Sequence, residues 1–398
     1  MLSVRGGCAR NRNGLGAGFI EHEHEHEHEC ECECECGWVG ESPRINFSID
    51  KLVAALGIND MMTPETLDEL ITDPPAKVVE AVSRTEGDIL VLGAGGKMGF
   101  HFCRMIQRAL QSLQRNDDVI AVSRFSSPDA KASFDRHQIP THSADLSDPL
   151  QVAAVPEAGD VFFLAGVKFG TADNSELLHR MNVRVPQLVA ERYASSRIVA
   201  LSTGCVYSFT TPESGGSREG DPTDPPGAYA ASCLQREQAF MEASERHGTR
   251  TALVRLNYSI DLRYGVLVDL AQKILDEQPV DLTTGYVNVI WQGDAVSQII
   301  RCLDHAASPP WIVNITSPET FQTRELATRF GRRLGKEPKF VGQEEPECWL
   351  SNSAQATKLF GTPSVGIDQM IDWIADWLRT GGATLGKPTH FQVRDGNY

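Results

Sequence analysis

The sequence predicts an α/β fold, a doubly wound parallel sheet with a smaller C-terminal substrate lobe, on three observations. A short apolar run, Ile89 to Leu92, breaks into Gly93, Gly96 and Gly99 and continues as a helical stretch from Phe100 to Ile106. A strand, a tight turn and a helix produce that pattern. The same strand–helix rhythm then repeats as far as Arg255, and beyond Arg255 it loosens into a second set of elements. Alternating strands and helices require a parallel sheet with helices on both faces.

Taken in order, apolar runs place strands near 88–93, 118–123, 139–142, 160–165 and 197–202. Amphipathic spacing places helices near 97–114, 128–135, 148–153, 174–194 and 229–247. The later part reads as helices near 263–277, 293–306, 322–335 and 365–379, with strands near 286–291 and 311–315. Pro212 to Pro226, rich in Pro, Gly, Ser and Asp, reads as a surface loop placed to cover a site. The expected organisation is a low-complexity segment over 1–60, a dinucleotide-binding lobe over 88–255, a lobe over 256–380 that carries most of the substrate contacts, and a tail over 381–398.

Glycines at 93, 96 and 99 let the backbone approach a ligand closely, and the helix start offers free N–H groups and a positive dipole end to a pyrophosphate. Ligands of parallel sheets sit at the carboxyl ends of the strands. Those ends are the Gly93–Gly99 turn, Ser123-Arg124, Ala144-Asp145-Leu146, Ala165-Gly166-Val167-Lys168 and Ser202-Thr203-Gly204.

Across 398 residues the chain is 41% apolar and 23% charged, as expected of a soluble globular protein, and no apolar run approaches a membrane span. A formal charge of −16 argues against non-specific nucleic-acid binding, which needs a basic face. Small molecules fit better as partners. Glu21 to Cys36 alternates Glu-His and then Glu-Cys with no apolar face to bury, so residues 1–60 are expected to be disordered, and the strict two-residue repeat resembles the translation of a short DNA repeat. A His/Cys metal tract is the alternative there, and no metal site is expected elsewhere. The cysteines beyond it, Cys103, Cys205, Cys233, Cys302 and Cys348, form no disulfide framework, which suits a cytoplasmic protein.

From Asp88 to about Arg379 the motifs resemble, in order, those of the extended short-chain dehydrogenase/reductases, specifically the NAD-dependent epimerase/dehydratase family. Gly93-Ala94-Gly95-Gly96-Lys97-Met98-Gly99 is similar to its GxxGxxG turn, and Asp145-Leu146 to its pair beside the adenine. Leu164-Ala165-Gly166 resembles the strand-four motif, and Met181-Asn182-Val183 the helix motif whose Asn supports the active site. Ser202-Thr203-Gly204-Cys205-Val206-Tyr207 resembles the strand-five signature, with Thr203 at the catalytic Ser/Thr position. Tyr229-Ala230-Ala231-Ser232 opens a segment similar to YxxxK, and Arg255 to Tyr258 resembles the strand-six segment. The resemblance implies a Rossmann-type lobe binding NADP or NAD, a sugar-like substrate, hydride transfer as the chemistry, and a homodimer.

One position departs from the pattern. The lysine that the resemblance implies four residues after Tyr229 is Cys233, which carries no fixed positive charge. A free tyrosine titrates near about 10, roughly three units too high for proton exchange at neutral pH. Three readings stand open: Lys168 supplies the missing charge from the end of strand four, a weakly acidic Tyr229 with Thr203 suffices, or the protein binds a nucleotide without turnover. Arg124, where an NAD enzyme often has a carboxylate, favours a 2′-phosphate and therefore NADP.

Overall fold

The computed structural model describes residues 62–126, 128–169 and 174–394, so the expectations for residues 1–60 lie outside the described residues. Seven strands form one parallel sheet: β1 (Ile89–Leu92), β2 (Val119–Ser123), β3 (Thr141–Ser143), β4 (Asp160–Phe163), β5 (Arg197–Thr203), β6 (Arg250–Leu256) and β7 (Trp311–Ile315). Their spatial order is β7-β6-β5-β4-β1-β2-β3. The order reverses between β1 and β4, which leaves a crevice at their carboxyl ends. The doubly wound sheet is therefore present, with β7, from the later part of the chain, completing it.

Alternate residues of β1 serve opposite faces. Ile89 and Val91 pack with α3 (Gly99–Ser112) and α10 (Gln292–Arg301), while Leu90 and Leu92 pack with α7 (Val185–Arg192) and α8 (Gly227–His247). Both faces are thus buried, which explains the unbroken apolar run of the strand. A separate apolar core joins α9 (Val266–Leu275), α11 (Thr323–Leu334) and α13 (Ile367–Arg379) in the second lobe. Phe391 joins that core and Thr389 bonds the Asp269 carboxylate, so residues 381–394 pack onto this lobe.

Among the described residues two helices precede β1, in a stretch that sequence reasoning left unassigned. Thr63 caps α1 (Pro64–Thr72), whose Leu67 and Ile71 enter the second-lobe core, and α2 (Ala76–Val82) sends Val78 and Val82 to the sheet. Asp68 on α1 lies 2.8 Å from both His101 Nε2 and Arg263 Nη2. The remaining connections include α4 (Pro128–Arg136), α5 (Pro149–Ala154), α6 (Ser175–His179) and α12 (Ala354–Phe360). The Pro212–Pro226 stretch is a loop holding one short 3₁₀ turn, Pro212–Ser214.

Candidate active site

At the crevice a cavity of about 430 Å³ gathers the ends of β1, β4, β5 and β6, the start of α8 and residues of the second lobe. Its first wall is the glycine turn. Gly93 has φ +86°, and a Cβ there would come within 2.5 Å of the Ala165 nitrogen, so only glycine lets this turn pass the end of β4. A Cβ on Gly99 would strike the Ala94 carbonyl. Gly96 and Met98 line the same wall, and α3 starts with no side-chain cap, its Gly99 N–H donating to the Gly96 carbonyl at 3.2 Å.

Lys97 extends from this turn into the cavity, with its ammonium 3.1 Å from the centre of the Tyr264 ring and 5.0 Å from that of Phe169. Burial, with Lys168 and Lys387 nearby, pushes its pKa down to about 7 against the pull of Asp269. Leu164, Gly166 and Lys168 form the wall from β4. Lys168 sits over Tyr229, its ammonium 5.6 Å from the ring centre, and burial lowers its pKa against the opposing effect of Cys205 and Cys233.

Thr203 ends β5 and faces the cavity, its hydroxyl oxygen accepting from the Cys205 N–H at 3.2 Å. Tyr229 lies on the first turn of α8, and Cys233, one turn on, hydrogen-bonds its phenol. Burial pushes that phenol well above its usual range, as do the neighbouring Cys233 and Cys205, whereas Arg236 pulls it down.

Beneath these groups Asn182 is wholly buried in a π-helical turn, Arg180–Arg184, between α6 and α7. Pro186 has no N–H to give the Asn182 carbonyl, which accounts for the widened turn at that point. The Asn182 side chain accepts from the Val167 N–H at 2.9 Å and donates to the Val167 carbonyl at 2.8 Å and the Ser232 hydroxyl at 2.9 Å. It thereby ties the loop after β4 to α8.

Ser123 and Arg124 end β2 outside this cavity, with Arg124 exposed and the Ser123 side chain against Gly95. The Asp145 carboxylate accepts from both the N–H and the hydroxyl of Ser147; burial raises its pKa, but these bonds and the nearby Arg124 and Arg180 bring it below the usual range. Leu146 and Ala165 are packed in the core. Sequence reasoning missed Arg236, Tyr258, Tyr264, Gln292 and Thr389, all of which line the cavity. It also missed a buried network beneath Thr203, where Glu237 accepts from Ser202 at 2.5 Å and pairs with Arg255 at 2.7 Å. Arg255 donates in turn to the Tyr207 hydroxyl at 2.7 Å.

A family model for the NAD dependent epimerase/dehydratase family matches residues 89–315. The chain belongs to this family. No curated protein matches it in sequence. Among solved structures, it is similar to a UDP-glucuronic acid 4-epimerase from Bacillus cereus in complex with NAD, at 16% identity and TM-score 0.62, covering 74% of this chain and 99% of that one. It is also similar to a dTDP-glucose 4,6-dehydratase from Streptomyces venezuelae with NAD bound, at 18% identity and TM-score 0.63, covering 74% and 97%. A UDP-glucose 4-epimerase from Thermus thermophilus in complex with NAD is 20% identical with TM-score 0.59, covering 74% and 99%. At such identities these likenesses show the fold alone.

Proposed function

We propose that the protein binds NAD or NADP along the Gly93–Gly99 turn and catalyses epimerisation, dehydration or simple oxidoreduction of a sugar nucleotide or similar polyhydroxylated molecule. One observation carries this reading: the glycine turn, Thr203, Tyr229 and Lys168 line a single cavity. The site fits such a cofactor, because Gly93, Gly96 and Gly99 line the cavity with bare backbone and the start of α3 carries no side-chain cap. Structural neighbours named for UDP-glucuronic acid and dTDP-glucose, and one in complex with UDP-glucose and NAD, support a nucleotide-linked sugar as the substrate class.

The cofactor, when bound, supplies the acceptor and donor of a hydride. Tyr229 takes the proton of the reacting hydroxyl as that carbon is oxidised and returns it when the carbonyl is reduced. Thr203 donates its hydroxyl proton to the same oxygen. Lys168, over the Tyr229 ring, provides positive charge beside the phenol, and Asn182 holds the loop that carries Lys168 against α8. The Ser202–Glu237–Arg255 network fixes the ends of β5 and β6 under the pair.

Mass identification of small molecules released from the purified protein tests this. Recovery of NAD or NADP is the expected result, with a bound sugar nucleotide marking its substrate. A protein that binds neither cofactor under calorimetry contradicts it. The elevated Tyr229 pKa favours a second reading, nucleotide binding without turnover. Cofactor recovery without conversion of any sugar nucleotide selects that reading.

A further inference from the structure

Arg236 stands apart from the other buried charges of this chain. Only 7% of it is exposed, and it makes no ion pair among the described residues. Its guanidinium donates to two neutral acceptors, the Leu201 carbonyl at 3.0 Å and Asn182 Oδ1 at 2.8 Å, and its Nε is buried without a partner. By contrast Arg255, one strand away, is matched by Glu237 in a bidentate pair. A buried guanidinium without a counter-ion carries its desolvation penalty with no ion pair to offset it. Its retention inside a cavity calls for a functional reason.

Position supplies that reason. Tyr229, Cys233 and Arg236 follow one another at intervals of four and three residues, so all three lie on one face of α8. Long side chains on a helix lean toward its N-terminus, which brings the guanidinium back past Cys233 toward Tyr229. Its Nη2 lies where a Cβ of Gly166 would be, so the glycine after β4 is what makes room for it. Arg236 and Tyr229 line the same cavity.

We infer that Arg236 supplies, from one turn beyond Cys233, the fixed charge that the family resemblance assigns to a lysine at position 233, and that it thereby positions the protonation equilibrium of Tyr229. The inference rests on the proposed acid–base role of Tyr229. The groups facing the phenol are Cys233 on its own helix, Cys205 after β5, Lys168 after β4 and Arg236, with Glu237 behind Cys233 and Lys97 across the cavity. Of these, Arg236 is the one cation that cannot lose its proton, and it opposes the upward effect of burial on the phenol. In the forward step the phenolate accepts the substrate's proton and becomes phenol while Arg236 remains protonated, so charge and protons balance.

The test compares Arg236→Gln and Arg236→Lys by the pH profile of kcat and by ultraviolet difference titration of the cofactor-free protein, with Tyr229→Phe as the blank. Because the oxidising step needs the phenolate, loss of the charge raises the phenol pKa and moves the acid limb upward. The expected shift for Arg236→Gln is about one unit, or about tenfold slower turnover at a pH below the limb. Arg236→Lys keeps the charge and holds the limb near its native position. A limb and a phenol titration that overlay the native curves in Arg236→Gln overturn the inference, as does an equal upward shift in both variants. If Arg236→Gln does not fold, the phenol titration of Arg236→Lys decides: near-native supports the inference, and well above native overturns it. A protein without hydride transfer defeats the proposed function alone, since the phenol titration still reads Arg236.

Discussion

The ammonium of Lys168 lies 5.6 Å from the centre of the Tyr229 ring, and nearby Cys205 and Cys233 oppose the lowering of its pKa by burial. A cation from the loop after β4 therefore occupies the neighbourhood from which the family's helical lysine is missing. Lys168→Ala is expected to lower kcat by about a hundredfold, within the range typical of a lost acid–base contributor. Its thermal midpoint should stay near native, because the side chain lines a cavity. Full activity in this variant shows that Lys168 does not compensate.

Cys233→Lys tests the same arrangement from the other side. Cys233 has no exposed surface, and a lysine there brings a second amine to a space that already holds Lys168 and the Arg236 guanidinium. Each cation then disfavours the other's charge. Turnover is expected not to rise and thermal stability to fall. A clear gain in turnover, with the pH optimum moved downward, shows that the site lacks a cation.

Lys97 gives cofactor binding a pH dependence. Its pKa of about 7 means that it gains charge as pH falls through that value. A pyrophosphate bound at the neighbouring turn favours the charged form, so affinity for the cofactor should strengthen from pH 8 toward pH 6, two values spanning about one unit on each side of the transition. Calorimetry at both values checks the sign. Lys97→Met is expected to bind more weakly and to flatten the dependence.

Cofactor choice turns on Arg124, exposed at the end of β2 with the Asp145 carboxylate nearby. Arg124→Ala is expected to weaken NADP binding about tenfold while leaving NAD binding unchanged. Tighter binding of NAD than of NADP by the native protein contradicts the preference drawn from this residue.

Assembly gives a further expectation. Leu178 is buried and Val185 and Phe240 lie in the sheet core, whereas Leu177, Met181, Leu188, Leu234 and Met241 remain partly exposed on α6 to α8 and the turn between them. Light scattering at micromolar concentration is expected to give a dimer, and Leu188→Glu a monomer. A native monomer rejects the pairing.

The βα rhythm was legible because it depends on local apolar periodicity. Strand β7, for example, was expected at its observed residues. The helices α1 and α2 were not legible, since Pro64, Pro74 and Pro75 interrupt a stretch whose burial depends on the distant His101, Arg263 and the second-lobe core. Thr203 and Tyr229 were found through motif order, and the structure brings them to one cavity. Arg236 was overlooked because a sequence shows its charge but neither its depth nor its lack of a counter-ion. The spacing from Tyr229 was the available signal. Ser202, Glu237 and Arg255 escaped for the same reason, their pairing being made across α8, β5 and β6.

The most direct test of the account follows the absorbance of the reduced nicotinamide after the protein, loaded with NAD or NADP, is mixed with candidate sugar nucleotides, in the native form and in Tyr229→Phe. The account predicts rapid reduction of the bound cofactor or net conversion of one substrate by the native protein, with the rate at least about a hundredfold lower in Tyr229→Phe. Equal rates in the two proteins contradict the role given to Tyr229, and binding of both ligands without any reduction or conversion contradicts hydride transfer itself.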